Sequence, residues 1–230
     1  MWCNNEKLSK KCGFDKYCDR FRNATYNQPI NITLLVESLC IHCQRFLVDQ
    51  LYPIIFRNFA DVIRIRIVPF GNAHIKNGTF FCQHGEEECK INRYQSCLFD
   101  VIKSQNKFVP LMHCLEEQLM NNASFKNAKS ICFANQSVSE SIQEKIQKCF
   151  DSKCGDELQL EAANVTDNAW PDKKTSVPWV IINGVSLESL QDKINNLAPQ
   201  LCEWYNGSKN ISYCAEIADE AHKTKRSFLR

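Results

Sequence analysis

The chain has 230 residues, 44% of them apolar and 23% charged, with 7 glycines and 7 prolines. That is enough apolar material for a sizeable core, and the composition excludes collagen-like and disordered classes. Lysine plus arginine number 28 against 26 aspartate plus glutamate, a formal net charge of +2, so no single-sign field draws the chain to nucleic acid or anionic lipid. No run approaches the roughly 18–20 apolar residues of a membrane span, so no membrane-spanning segment is expected.

Residues 1–27 are polar, carry Cys3, Cys12 and Cys18 and show no sustained period. They read as a loop-rich arm tied down by disulfides. From residue 30, Ile30, Ile32, Leu34 and Val36 alternate with Asn31, Thr33, Leu35 and Glu37, the period of a strand. Phe46, Leu47, Leu51, Ile54 and Ile55 then recur at helical spacing, and Pro53 predicts a kink. A second strand is expected over residues 62–68, where Ile63, Ile65 and Ile67 alternate with Arg64 and Arg66. Strand, helix, strand over residues 28–69 predicts a right-handed parallel unit, the first part of an α/β core.

Residues 70–175 are mostly helical in pattern and too long for a loop, so they read as an insertion. Within it Pro110 is expected to open a helix, and Ser137-Val138-Ser139-Glu140 resembles a capping box. The core resumes over residues 176–205 with a strand at 177–182, a hairpin turn at Asn183-Gly184 and a helix over 187–204. Residues 206–230 follow as a C-terminal tail, of which residues 215–230 are charged, lack a core-facing stripe and read as mobile.

Fourteen cysteines point to an oxidising compartment. Asn-x-Ser/Thr sequons begin at Asn23, Asn31, Asn77, Asn122, Asn135, Asn164, Asn206 and Asn210, eight where the asparagine, serine and threonine content predicts about two. Both signals imply passage through the secretory pathway. Met1 to Glu6 lack the basic and apolar regions of a leader, so the targeting segment is expected outside this chain.

The chemistry is expected at Cys40-Ile41-His42-Cys43. A C-x-x-C spacing arises about once by accident in such a composition, so its context decides. Cys40 sits where a strand turns into a helix, facing unpaired N–H groups that favour thiolate over thiol. Cys43, one turn on, is placed to displace whatever Cys40 captures, and His42 adds positive charge when protonated. Val177-Pro178 suits a cis bond at the start of a strand, as in thioredoxin-type folds where that proline faces the C-x-x-C and pairs with substrate backbone. Trp179 beside it is expected partly exposed in a substrate groove.

Residues Cys82-Gln83-His84-Gly85-Glu86-Glu87-Glu88-Cys89-Lys90-Ile91-Asn92-Arg93-Tyr94-Gln95-Ser96-Cys97 match the pattern C-Q-H-G-x-x-E-C-x-x-N-x-x-x-x-C at all eight fixed positions. In this the chain resembles the gamma-interferon-inducible lysosomal thiol reductase family, and C-x-x-C and V-P-W-V-x-x-N-G stand in the family's order across roughly residues 29–205. The resemblance implies a thioredoxin-like core with a disulfide-rich helical insertion and a soluble glycoprotein of lysosomes, endosomes or secretion. It also implies reduction of protein disulfides at acidic pH, with Cys40 as nucleophile and Cys43 as resolving thiol. Partners are then disulfide-containing proteins as substrates and a thiol electron donor; no metal or organic cofactor enters.

On the residues alone, Cys82, Cys89, Cys97 and His84 are better read as structural than as zinc ligands. Gln83, His84, Glu88 and Asn92 are expected to hydrogen-bond locally, with Gly85 in a tight turn. Setting Cys40 and Cys43 aside leaves Cys3, Cys12, Cys18, Cys82, Cys89, Cys97, Cys114, Cys132, Cys149, Cys154, Cys202 and Cys214, enough for six bridges of unspecified connectivity. Cys149 with Cys154 is one plausible local pair. Two rival functions remain: a disulfide oxidase or isomerase of the same fold, and a non-catalytic binding glycoprotein with both centre cysteines in permanent bridges.

Overall fold

The computed structural model describes Cys3 and residues 5–228, with side chains as far as residue 220. The chain forms two compact units, one of Met1–Ile30 with Ala198–Arg230 and one of Asn31–Leu197. These divisions differ from the sequence boundaries at 27, 69, 175 and 205.

In the terminal unit, α1 (Glu6–Lys11) and α2 (Asp15–Thr25) occupy the arm that sequence reads as loops. Asn5 caps α1 by accepting from Leu8 N at 3.0 Å. The Cys3–Cys18 disulfide links the start of the arm to α2.

In the larger unit, β1 (Ile30–Val36) leads through residues 37–40 into α3 (Ile41–Arg45), which continues as a π-helical stretch, Phe46–Phe56, and ends in α4 (Arg57–Phe59). Pro53 lies inside the π stretch. Its missing N–H and its ring oppose the α register, and a wider turn takes the place of the expected kink. β2 (Ile63–Pro69) follows close to its expected position. The four-stranded sheet has the order β2-β1-β5-β6, where β5 is Trp179–Ile182 and β6 is Val185–Ser186. β1 and β5 are antiparallel, with Leu35 opposite Trp179 and Ile32 opposite Ile182. Asn183 and Gly184 have φ of 50° and 78°, the left-handed pair that a type I′ turn requires.

Between β2 and β5 lies a small hairpin, β3 (His74–Lys76) with β4 (Thr79–Phe81), that the sequence reading did not foresee. Five helices follow: α5 (Glu86–Val101), α6 (Gln105–Met120), α7 (Phe125–Asn135), α8 (Glu140–Phe150) and α9 (Lys153–Asp167). α5 packs against α8 and α9, and α6 against α7 and the π stretch. Disulfides Cys97–Cys149 and Cys114–Cys132 join α5 to α8 and α6 to α7. The result is the α/β core with a disulfide-rich helical insertion. Leu35, Val68, Phe70, Ala162, Trp179 and Ile181 meet in a buried cluster that seats α9 on the sheet.

Several local expectations fail for stated reasons. Pro110 lies inside α6, which starts at Gln105 after Ser104, so a buried apolar face outweighs the one hydrogen bond a proline forfeits. Ser137 has φ of 52° and stands outside α8, whose N-cap is Ser139, so no capping box forms. The helix expected over 187–204 is broken into α10 (Glu188–Gln191), a 3-10 turn (Ile194–Asn196) and α11 (Leu197–Trp204). Asn195 and Asn196 are weak helix formers, and Pro199 is tolerated only because it falls in the first turn of α11. The expected mobile tail contains α12 (Ser212–Phe228), fastened to α11 by Cys202–Cys214.

Candidate active site

β1 delivers the chain to Cys40, which stands at the N-cap of α3, while Cys43 sits one turn inside. Both are unbridged thiols; Cys40 is 7% exposed and Cys43 is fully buried. The Cys43 thiol donates a hydrogen bond to Cys40 and is the largest influence lowering the Cys40 pKa to about 6. Burial opposes it; the backbone N–H groups of Cys43 and His42 and the charge of His42 lower it further. The N–H groups and His42 act in the expected direction, but the neighbouring thiol has the larger effect. Burial drives Cys43 the other way, well above the ordinary thiol range, and hydrogen bonding to Cys40 adds to the rise. Adjacent thiols are thereby given opposite characters, one pushed toward thiolate with a small exposed surface, the other held protonated and fully enclosed.

The segment before Cys40 is held by the C-Q-H-G region. Ser38 N donates to Asn92 Oδ1 at 3.0 Å, and Leu39 N donates to Glu88 Oε2 at 3.3 Å. Ser38 Oγ donates to the Glu88 carbonyl at 3.4 Å, and Gln44 Nε2 donates to the Ser38 carbonyl at 2.9 Å. Asn92 and Glu88 are fully buried on the first turns of α5. The local hydrogen bond expected of this segment is present between His84 and Glu88, and Glu88 and Asn92 also reach some fifty positions upstream, to the loop that precedes Cys40. That loop has no regular ladder of its own, so side chains satisfy its amides. Gly85, the N-cap of α5, has φ of 88°, a left-handed conformation that suits glycine and agrees with the expected turn.

Two buried acids, both missed from sequence, surround the dithiol. Glu37 follows β1; its N–H donates to Cys43 Sγ at 3.5 Å, and its carboxyl accepts a short hydrogen bond from Asn72 N. The carboxyl fills the space over Gly71, where a Cβ would lie 2.2 Å from Glu37 Cγ. Burial raises its pKa to about 7, with Glu88 and Cys40 adding to the rise and Asn72 and His84 opposing it. Glu116 of α6 is pushed by burial to about 8, while hydrogen bonds from Gln95 and Gln44 restrain the rise. Gln95 Nε2 donates to its Oε1 at 2.6 Å. The only sequence hint was Leu35 beside Glu37 on the supposedly polar side of β1.

His84 Nδ1 lies 2.6 Å from Glu88 Oε2 and 3.7 Å from Glu37 Oε2. Donors around a tetrahedral ion, each about 2.0–2.1 Å from it, stand about 3.3 Å apart. The shorter separation is that of a hydrogen bond, so this group is arranged around a proton. Cys82, Cys89 and Cys97 are all in disulfides, which removes the thiolates a zinc reading needs.

Val177–Pro178 is cis, as expected, and so is Trp170–Pro171. Val177 and Pro178 line a cleft of about 420 Å³ with His42 and Arg45 of the active-site helix. Trp179 does not line it. It is 1% exposed, and its Nε1–H donates to Ser186 Oγ at 2.9 Å. Alternation along β5 turns Trp179 toward the core, correcting the groove expectation.

Residues 31–153 match the sequence profile of the family described as Gamma interferon inducible lysosomal thiol reductase (GILT). The chain is 35% identical over 214 residues to the gamma-interferon-inducible lysosomal thiol reductase of Carassius auratus, covering 91% of this chain and 80% of that one. The chain belongs to the GILT family. To the Mus musculus protein of the same name it is 34% identical over 199 residues, 85% of this chain and 75% of that one. Among solved structures, the oxidoreductase DsbA of Xylella fastidiosa aligns with a TM-score of 0.45 and 14% identity, over 72% of this chain and 81% of that one. Like its GILT relatives this chain is a thiol-disulfide oxidoreductase, and among the described residues no helix is long and apolar enough to cross a membrane.

In this GILT-family chain five disulfides form among the described residues, the fifth being Cys82–Cys89, which clasps the signature segment. Six were expected. Cys12 and Cys154 are unbridged, and Cys149 pairs with Cys97 rather than with Cys154, whose sulfur lies 3.6 Å from it. Packing of α8 on α5 decides this pairing, which sequence proximity favoured differently. Of the eight sequon asparagines, all but Asn206 are exposed. Asn206 Nδ2 instead donates to the Arg22 carbonyl at 2.6 Å and to Thr25 Oγ1 at 3.1 Å.

Proposed function

We propose that this protein reduces protein disulfides through Cys40 and Cys43. The Cys40 thiolate attacks one sulfur of a substrate disulfide and the other sulfur departs as thiolate, leaving a Cys40 mixed disulfide. Cys43 then attacks Cys40 Sγ, the second substrate sulfur leaves, and the enzyme retains a Cys40–Cys43 disulfide. A thiol donor returns the enzyme to its reduced form. The observation that carries this reading is the opposed character of the two thiols, with Cys40 lowered to about 6 by its neighbour while Cys43 stays protonated.

Acidic working pH fits the same observation. An ordinary thiol of pKa about 8.5 is ionised to about 3 parts in 10,000 at pH 5, whereas one near 6 is ionised to roughly a tenth. The sequons and cysteine content favour a lysosomal, endosomal or secreted location. That Val177 and Pro178 line one cleft with His42 supports the reading that they meet substrate backbone. Reduction of insulin disulfides across pH 4–8 tests the reading. Cys40→Ser is expected to abolish turnover and Cys43→Ser to trap substrate as a mixed disulfide; undiminished activity in both variants removes the mechanism. The reduction potential of the Cys40–Cys43 pair separates a reductase from an oxidase or isomerase.

A further inference from the structure

Three cysteines outside the active site converge where α5, α8 and α9 meet. Cys97 of α5 is bonded to Cys149 of α8, and the unbridged Cys154, in the first turn of α9, has its sulfur 3.6 Å from that of Cys149. Cys149 carries no S–H while it is bonded to Cys97, so this contact sets a free thiol against a disulfide sulfur. The turn between α8 and α9 makes the approach. Ser152 N and Oγ both donate to the Cys149 carbonyl, at 3.2 and 3.0 Å, and Ser152 Oγ accepts from Cys154 N at 3.3 Å. Arg93 of α5 secures the turn, donating to the Ser152 carbonyl at 2.7 Å and pairing with Asp156 at 3.5 Å. Gly155 makes room for it, since a Cβ there would lie 2.5 Å from Arg93 Nε.

We propose that Cys97, Cys149 and Cys154 form an internal thiol–disulfide exchange site with two alternative pairings, Cys97–Cys149 with a thiol at 154 and Cys149–Cys154 with a thiol at 97. Cys154 loses its proton to water, and its thiolate attacks Cys149 Sγ. The Cys149–Cys154 bond forms, the Cys97–Cys149 bond breaks, and Cys97 leaves with the electron pair and takes up a proton. One thiol and one disulfide stand on each side, so no oxidant or reductant is consumed. The exchange does not rest on the assignment of Cys40 and Cys43 above.

The two pairings differ in what they hold. Cys97–Cys149 closes a span of 52 residues and locks α5 to α8, whereas Cys149–Cys154 closes one of 5 and joins α8 only to the start of α9. In an unfolded chain, loop-closure entropy favours the local pair by the three-halves power of the ratio of the two spans, roughly 30-fold. Packing of α8 on α5 reverses that preference in the folded chain. The pairing thereby responds to whether α5 and α8 stay packed, and α5 carries the Glu88 and Asn92 that hold the loop before Cys40. Exchange also moves the free thiol from half-buried Cys154 to fully buried Cys97, which withdraws a reactive group from the surface.

Pairing is read in the full-length chain carrying Cys12→Ser, Cys40→Ser and Cys43→Ser, which leaves the trio as the only source of a free thiol among the described residues. The folded chain receives a timed pulse of N-ethylmaleimide and is then unfolded in guanidinium chloride at pH 6 with deuterated N-ethylmaleimide, which marks any thiol the pulse did not reach. Trypsin cuts after Lys148 and Lys153 and so separates Cys149 from Cys154. Both linked peptide pairs are expected, with Cys97–Cys149 the major one. Labelling of Cys154 is expected in two phases, a fast one from the free thiol and a slow one that drains the Cys149–Cys154 form. The Cys149–Cys154 peptide and the deuterated label at Cys97 decay together at the slow rate. In urea the share of Cys149–Cys154 is expected to rise at least about tenfold. Cys154→Ser removes the second pair and the slow phase, and Cys97→Ser is expected to bond Cys149 to Cys154 and leave no thiol to label. Single-phase labelling of Cys154 with Cys97–Cys149 as the sole linked pair, in buffer and in urea alike, overturns the exchange. So do free thiols at both 149 and 154 in a folded Cys97→Ser chain.

Discussion

Replacing Cys43 by alanine removes the thiol hydrogen bond that contributes most to lowering Cys40. With that bond Cys40 titrates at about 6. At pH 5 the thiolate is then roughly a tenth of the population, against about 3 in 10,000 at an ordinary pKa of about 8.5, a ratio of roughly 300. A more basic thiolate is intrinsically more reactive, with a Brønsted slope of about 0.45, which returns a factor of about 13. Full loss of the depression therefore lowers the alkylation rate at pH 5 by about 20-fold. Amide N–H groups of Cys43 and His42 persist in the variant, so a loss between about 5- and 20-fold is expected, with the midpoint of the rate profile moved toward 8. The assay is iodoacetamide modification of Cys40 from pH 4 to 9, followed by peptide mass spectrometry that distinguishes it from Cys12 and Cys154. A midpoint that stays near 6 in Cys43→Ala refutes the reasoning, because the amides and His42 would then be carrying the shift.

Other expectations follow from the same structure. Burial holds Glu116 at about 8 and Glu37 at about 7 in the folded chain, above their unfolded values near 4.3, so the folded state binds more protons and stability falls as pH rises from about 4.5. Cys40 acts oppositely above about 6, which makes the fall steepest between pH 4.5 and 6. Thermal melts should show a higher Tm at pH 4.5 than at pH 6, by roughly 2–4 °C for each kcal/mol, with a smaller gap in Glu116→Gln; equal melting at both pH values contradicts this. Gly71→Ala places a methyl 2.2 Å from Glu37 Cγ at a φ of 59°, and a loss of about 2–3 kcal/mol is expected in urea unfolding. Removing Cys97–Cys149, which spans 52 residues, should cost about 4 kcal/mol and removing Cys82–Cys89, spanning 7, about 2 kcal/mol, measured the same way; equal costs would show that loop length is not the controlling quantity.

Much of the frame was legible because it is written in short-range periodicity. Alternation at Ile30, Ile32 and Leu34 and at Ile63, Ile65 and Ile67 marked both strands. Asn183-Gly184 marked its turn through the backbone angles that pair tolerates, and the strand-to-helix position of the C-x-x-C and the cis bond at Val177-Pro178 were both legible. Errors fell where tertiary packing overrides a local rule. Pro110 stayed within α6, and the charged tail became α12 once Cys214 was bonded to Cys202.

Sequence by itself determined that Cys40-Ile41-His42-Cys43 stands where a strand turns into a helix, since that depends on residue type and near-neighbour spacing. Only the tertiary structure decided the surroundings that tune them. Alternation placed Glu37 on the polar side of β1, yet the loop at Gly71–Asn72 and the signature segment cover that side and bury its carboxyl. Glu116 faces Cys40 across α6 and α3, and Glu88 and Asn92 reach Ser38 and Leu39 from some fifty residues away. Burial and charge proximity depend on distances in space, which a local pattern of residues does not encode.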